Sequence, residues 1–65
     1  MKKILRRAIV IGRVGVSYPT IWRMEKAGLF PRRIQISPGA IGWLEEDIDA
    51  WIESREVASG NEAAR

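Results

Sequence analysis

The chain has 65 residues and contains neither cysteine nor histidine. That removes disulfides, the common zinc sites and every catalytic arrangement built on a thiol or an imidazole, so no enzyme, cofactor or metal site is expected. The length allows one domain near the lower limit for a single core, and three tryptophans are the expected replacement for covalent staples, each worth roughly 2–3 kcal/mol when well buried.

Net charge is only +3, but it is unevenly spread. Residues 1–33 hold nine Lys or Arg against Glu25 alone, a net of +8, while residues 34–65 hold two against seven acids, a net of −5. A basic half of this kind is the electrostatic footprint of a nucleic-acid binder; its plain alternative is a solvated surface that keeps a small protein soluble. No apolar run approaches the ~18 residues of a membrane span, and Met-Lys-Lys is not followed by the apolar segment of a signal peptide. A cytoplasmic protein with no membrane partner and no small-molecule substrate is expected.

Residues 1–6, MKKILR, read as a lead-in or short strand in which Ile4 or Leu5 anchors to the core. Over 7–14, RAIVIGRV, the β-branched residues and Gly12 favour a strand by propensity. However, Val10, Ile11 and Val14 fall at helical spacing, and only Gly15 and Val16 separate them from the next element. A turn that tight between two short helices is a helix-turn-helix, which decides for a helix at 7–14.

The second helix, about 17–27, carries the clearest boundary signals. Ser17 is a good N-cap, Val16 and Ile21 occupy the two positions of a hydrophobic staple, Pro19 sits where no intrahelical N–H is lost, and Gly28 supplies a left-handed stop. On a 3.6-residue period Ile21, Met24 and Gly28 face a core, whereas Tyr18, Pro19, Arg23 and Lys26 face away and Thr20 and Trp22 flank the boundary. Leu29, Phe30 and Pro31 then turn the chain.

Residues 33–36 and 40–44 alternate with period two, which would place Ile34, Ile36, Ile41 and Trp43 on one face of a hairpin. Pro38 and Gly39 suit the two central positions of a type II turn. Residues 45–55, EEDIDAWIESR, have acids in the first turn, Arg55 in the last, and Ile48, Trp51, Ile52 and Arg55 at amphipathic spacing. Trp43 and Trp51 are therefore core residues. The carboxylates at 45, 46, 47 and 49 are explained by the helix dipole without a metal. Residues 56–65 lose the apolar pattern and are expected to form a disordered tail after a domain at 1–55.

The run ILRRAIVIGRVGVSYPTIWRM, then LFPRR, then AIGWLEEDIDAWIESR resembles the AlpA family of small phage and mobile-element regulators. Its most specific pieces are Gly15-Val16-Ser17 with Thr20-Ile21, Phe30-Pro31, and the spacing from Gly42-Trp43 to Trp51 across Glu46, Ile48 and Asp49. The resemblance implies an α+β winged helix-turn-helix of three helices plus a two-stranded β-hairpin wing, of the MerR and excisionase kind. In that fold the helix at about 17–27 enters the major groove of double-stranded DNA, and the wing at about 33–44 lies on the backbone. It implies a prophage or mobile-element transcriptional regulator, or an excisionase that directs recombination, associated with the nucleoid.

Carried over by position, Ser17, Tyr18, Thr20 and Arg23 correspond to exposed recognition residues and Trp22 to a position often filled by tyrosine. The chain departs from the family at Gly39, where a basic residue is common at the wing tip, and at Arg7, where an apolar residue is common. Arg32 and Arg33, at the base of the wing, are thus better backbone candidates than the tip.

Chemistry ranks these positions further. Arg23 suits a bidentate contact to guanine or a phosphate clamp; Tyr18 and Thr20 suit a thymine methyl, a phosphate oxygen or the local backbone. Trp22 either donates its indole N–H to a phosphate or packs on the first helix. Lys2, Lys3, Lys26, Arg32 and Arg33 are candidate phosphate contacts. Specificity from so small a domain points to further copies on adjacent sites, and an integrase or RNA polymerase is the natural protein partner. The rival from another class is a protein-interaction adaptor that uses the acidic third helix and the tryptophans.

Overall fold

A computed structural model describes residues 2–55. Among them the elements run β1 (Ile4–Arg6), α1 (Arg7–Val14), α2 (Tyr18–Lys26), β2 (Ile34–Ser37), β3 (Ala40–Leu44) and α3 (Glu45–Glu53). The tail expected at 56–65 lies outside the described residues. No described helix is long and apolar enough to cross a membrane.

Helix α1 and helix α2 form where expected, and glycine sets both ends. Gly15 closes α1 at φ 85° and donates to Ile11 O at 2.8 Å. At the end of α2, Gly28 takes φ 77° and donates to Glu25 O at 3.1 Å, while Leu29 donates to Met24 O at 2.8 Å. These 5→2 and 6→1 bonds are a Schellman motif, which satisfies carbonyls that the helix leaves open. Ser17 holds the N-cap position in extended conformation, but its hydroxyl makes no capping bond, because it is turned to Thr20 Oγ1 at 3.1 Å.

The expected hairpin forms from β2 and β3, and the short strand at the start of the chain adds a third strand to it. Strand β1 pairs antiparallel with β3, giving the order β1-β3-β2 with β3 central. Leu5 stands opposite Trp43, and both point into the core; the Glu45 N–H donates to Lys3 O at 2.8 Å, carrying the pairing into the start of α3. An isolated hairpin would be marginal, and the third strand stabilises it by joining the wing to the start of the chain.

Register corrects the faces. Gln35 lies opposite Ile41 and Ile34 opposite Gly42, so Ile34 and Ile36 share the outer face with Gly42 while Ile41 and Trp43 face the core. Directly opposed residues of an antiparallel pair point the same way, so an offset of one residue reverses a strand's facing. The turn differs as well. Gly39 does not take a left-handed φ, so Pro38-Gly39 is not a type II turn, and a register shift between Gln35 and Ser37 absorbs the irregularity.

The core consists of Leu5, Val10, Ile21, Phe30, Trp43 and Ile48. One residue at least comes from each of β1, α1, α2, β3 and α3, so no element packs by itself. Phe30 sits edge-on to Trp43 and Trp51, with ring centroids 6.3 and 4.9 Å away. Trp51 packs at the core margin, and Ile52, expected inside, is exposed because α3 presents only Ile48 and Trp51 inward. Helix α3 stops at Glu53, and Arg55 lies beyond its last turn, where its Nε donates to Trp51 O at 3.2 Å and its guanidinium covers the Trp51 ring at 4.2 Å.

Two glycines separate propensity from packing. A Cβ on Gly12 would meet nothing within 4 Å, whereas one on Gly42 would lie 2.7 Å from both Ile4 Cγ2 and the Leu5 carbonyl oxygen. Gly12→Ala is expected to stabilise the fold by about 0.5–1 kcal/mol through helix propensity. Gly42→Ala is expected to lower stability and loosen the β1-β3 pairing. Thermal melts followed by tryptophan fluorescence check both, and each kcal/mol should move the midpoint by about 4–8 °C.

Candidate nucleic-acid interface

Helix α2 exposes a stripe of donors because its apolar residues are few and spaced to one side. Ile21 is fully buried and Met24 packs on the core. Ser17, Thr20 and Arg23 follow one another at three-residue intervals on the outside, with the hydroxyls 3.1 Å apart and Arg23 Nη2 3.4 Å from Thr20 Oγ1. Arg23 is exposed, as are Pro19 and Lys26.

Trp22 is 46% exposed, and Lys26 Nζ stands 4.7 Å from its ring centroid. It separates two shallow depressions. One is lined by Tyr18, Pro19, Trp22 and Arg23; the other, between α2 and the start of the wing, by Trp22, Glu25, Lys26, Arg32 and Arg33. The structure thus places seven of the nine residues singled out from the sequence along these two depressions, and the other two, Thr20 and Ser17, adjoin them through the contact of Thr20 with Arg23.

They are not equivalent. Arg33 is half-buried and engaged with its own protein: Nε and Nη2 donate to Glu25 Oε1 at 3.0 and 2.8 Å, and its backbone N–H donates to Glu25 Oε2 at 2.7 Å. Its Nη1 donates to the Tyr18 hydroxyl at 2.7 Å, and its guanidinium also lies 5.5 and 5.4 Å from the Tyr18 and Trp43 rings. Tyr18, expected to face away from the core, is half-buried against it for the same reason. Arg33 and Tyr18 therefore form a clamp between α2 and the base of the wing. Arg32 points outward and exposed.

Glu25 is the residue that periodicity and charge counting passed over. The signal was present, since it is the only acid in the first 33 residues, and an isolated carboxylate in so basic a segment marks an internal partner. Burial by itself would raise its pKa, but the bonds from the Arg33 side chain and backbone outweigh that and hold it below the ordinary carboxylate value. Arg33 is raised in return, first by its bond to Glu25.

The acids of α3 are turned to another use. Arg13 bridges Glu45 and Asp49 at 3.0 and 3.4 Å, and Lys2 meets Glu46 at 2.9 Å. Such exposed pairs add little stability. They do sort charge, because Arg13 and Lys2 are neutralised on the α3 side while Lys3, Arg6, Arg7, Arg23, Lys26 and Arg32 carry no ion pair among the described residues.

A helix-turn-helix running into a β-hairpin, with a donor-rich face on the second helix, defines a small α+β protein of the winged helix-turn-helix class. Residues 3–56 match the family model described as prophage CP4-57 regulatory protein (AlpA), and the chain belongs to that family. It is also 32% identical over 59 residues to the DNA-binding transcriptional activator AlpA of Escherichia coli (strain K12), an alignment that covers 82% of this chain and 84% of that relative.

The clamp gives a pH dependence of definite sign. A carboxylate whose pKa is depressed by folding contributes stability above its unfolded pKa, and that contribution is lost as pH falls through the folded value. Stability should therefore decline below about pH 4.5, near the unfolded carboxylate value. Glu25→Gln should remove part of that decline and lower stability at pH 7 by about 1.5–3 kcal/mol, the range for hydrogen bonds to a charged group. Urea titrations of both proteins from neutral to acid pH check the slope.

Proposed function

We propose that the chain binds double-stranded DNA sequence-specifically, with α2 in the major groove and the β2-β3 wing along the backbone, and that it acts as a transcriptional regulator of a mobile element. The observation that carries this reading is the outward face of α2: Arg23, Thr20, Trp22 and Lys26 stand together, and among the described residues neither cation is ion-paired with a carboxylate. Family membership and the named activity of the Escherichia coli relative support it.

In this reading Arg23 contacts a guanine edge or clamps a phosphate beside it. Pro19 and Trp22 offer an apolar depression to a thymine methyl group, with Thr20 beside it through its contact with Arg23. Lys26 and Arg32, which line one depression, hold backbone phosphates, and Ser17 donates at the start of the helix. Tyr18 and Arg33 contribute by position, fixing the angle between α2 and the wing through Glu25. The wing-tip segment 35–41 contains no Lys or Arg, so the base of the wing supplies the contacts.

The same contacts serve a recombination directionality factor, and the relative's name as an activator favours the regulator. An adaptor that uses the acid face of α3 is less well supported, since Glu45, Glu46 and Asp49 are already paired within the chain. Copies on neighbouring sites would raise specificity beyond what one short helix provides, with an integrase or RNA polymerase as the protein that reads the complex.

Arg23→Ala should lower discrimination between a specific and a scrambled duplex by about 1–3 kcal/mol. Arg32→Ala should weaken binding to both alike and reduce the salt slope by about one unit. Gel-shift titrations over a range of salt measure both effects, and unchanged affinity in both variants would overturn the interface.

A further inference from the structure

Arg7, the first residue of α1, lies outside every contact assigned so far. Its guanidinium stands 4.7 Å from the centroid of the Tyr18 ring. The same ring has Arg33 at 5.5 Å, so one aromatic side chain carries two guanidinium groups. Their situations differ. Arg33 is neutralised by Glu25, whereas Arg7 is exposed and has no carboxylate partner among the described residues. A guanidinium lying over an aromatic ring, with no carboxylate among the described residues to take up its donors, keeps those donors available to an anion.

Tyr18 is itself held by the bond from Arg33 Nη1 to its hydroxyl and by packing on the core, so the surface beneath Arg7 is fixed. Arg7 adjoins the depression that Tyr18 shares with Pro19, Trp22 and Arg23. We infer that Arg7 is a backbone-phosphate contact, preset by stacking on Tyr18, which extends the DNA interface from α2 onto the start of α1. The inference rests on the DNA-binding reading above and adds a phosphodiester site to it. The ligand chemistry follows from the group: a planar fork of donors matches two phosphate oxygens, and the ring below orients that fork before DNA arrives.

The test measures binding of the whole chain to a fluorescein-labelled random-sequence duplex between about 50 and 200 mM salt, the range over which phosphate contacts are resolved. Arg7→Ala should reduce affinity several-fold and flatten the slope of log K against log salt by about 0.9, the value for one phosphate. Arg7→Lys should keep the wild-type slope with weaker binding, and Arg7→Gln, which retains a long polar side chain, should reproduce the alanine slope. In a Tyr18→Leu background the affinity lost on removing Arg7 should shrink, since its presetting is already gone.

An unchanged slope in Arg7→Ala and Arg7→Gln, while Arg32→Ala lowers it, would overturn the Arg7 site and leave the α2 interface standing. A loss of affinity without a change of slope would also overturn it, because it would mark a packing role. Failure of the wild-type chain to bind duplex at any salt would remove the DNA-binding reading and this site together.

Discussion

The fold depends on how three residues after α2 are held. Leu29, Phe30 and Pro31 would leave backbone carbonyls open in a turn pressed against the core, and two indoles answer them: Trp51 Nε1 donates to Leu29 O at 2.8 Å and Trp43 Nε1 to Pro31 O at 3.1 Å. Between those bonds Phe30 is buried edge-on to both rings. The Pro31 acceptor is part-buried, where an unmatched carbonyl is costly, so Trp43 acts at once as packing volume and as donor, while the bond from Trp51 to Leu29 is exposed. A nine-residue helix is marginal in water alone. Here α2 is fixed at its C-terminal end by this loop, which is what allows its other side to remain polar and open.

The distribution of charge follows from the same economy. A chain of net +3 could scatter its cations, yet α3 gathers acids that pair with Lys2 and Arg13, and Glu25 takes up Arg33. What remains unneutralised among the described residues includes α2, the base of the wing and the beginning of α1. The clamp at Glu25 removes one cation from direct use. In exchange it ties the wing to the helix through partly buried, charge-assisted bonds, which resist screening better than the exposed pairs on α3. Positioning and contact are thus divided between neighbouring arginines, with Arg33 turned in and Arg32 turned out.

The sheet shows a similar division. Its inner face carries Leu5, Ile41 and Trp43 against the helices, and its outer face gathers Ile4, Ile34, Ile36 and Leu44 around the bare backbone of Gly42. Strand β1 is short, but by pairing with β3 it anchors the hairpin to the first helix of the helix-turn-helix. The wing therefore cannot pivot independently of α1. A contact made at Arg7 and one made at Arg32 would be held in fixed relation by this strand and by the clamp.

Local chemistry determined much of this from the sequence. The bounds of α1, the tight turn at Gly15-Val16, the left-handed stop at Gly28, the burial of Val10, Ile21, Ile48 and Trp43, and the donor-rich outer side of α2 all follow from spacing and from residues whose conformational preferences act over a few neighbours. Pairing across the chain was left to the tertiary structure. Ile34 and Ile36 turned outward because the face of a strand is set by the residue opposite, which periodicity within one strand does not contain. Ser17 bonded to Thr20 instead of capping, Arg33 turned to Glu25 and Tyr18, and Arg7 came to rest on the Tyr18 ring. A side chain's charge is written in the sequence, but the partner that satisfies it is chosen only when distant segments meet.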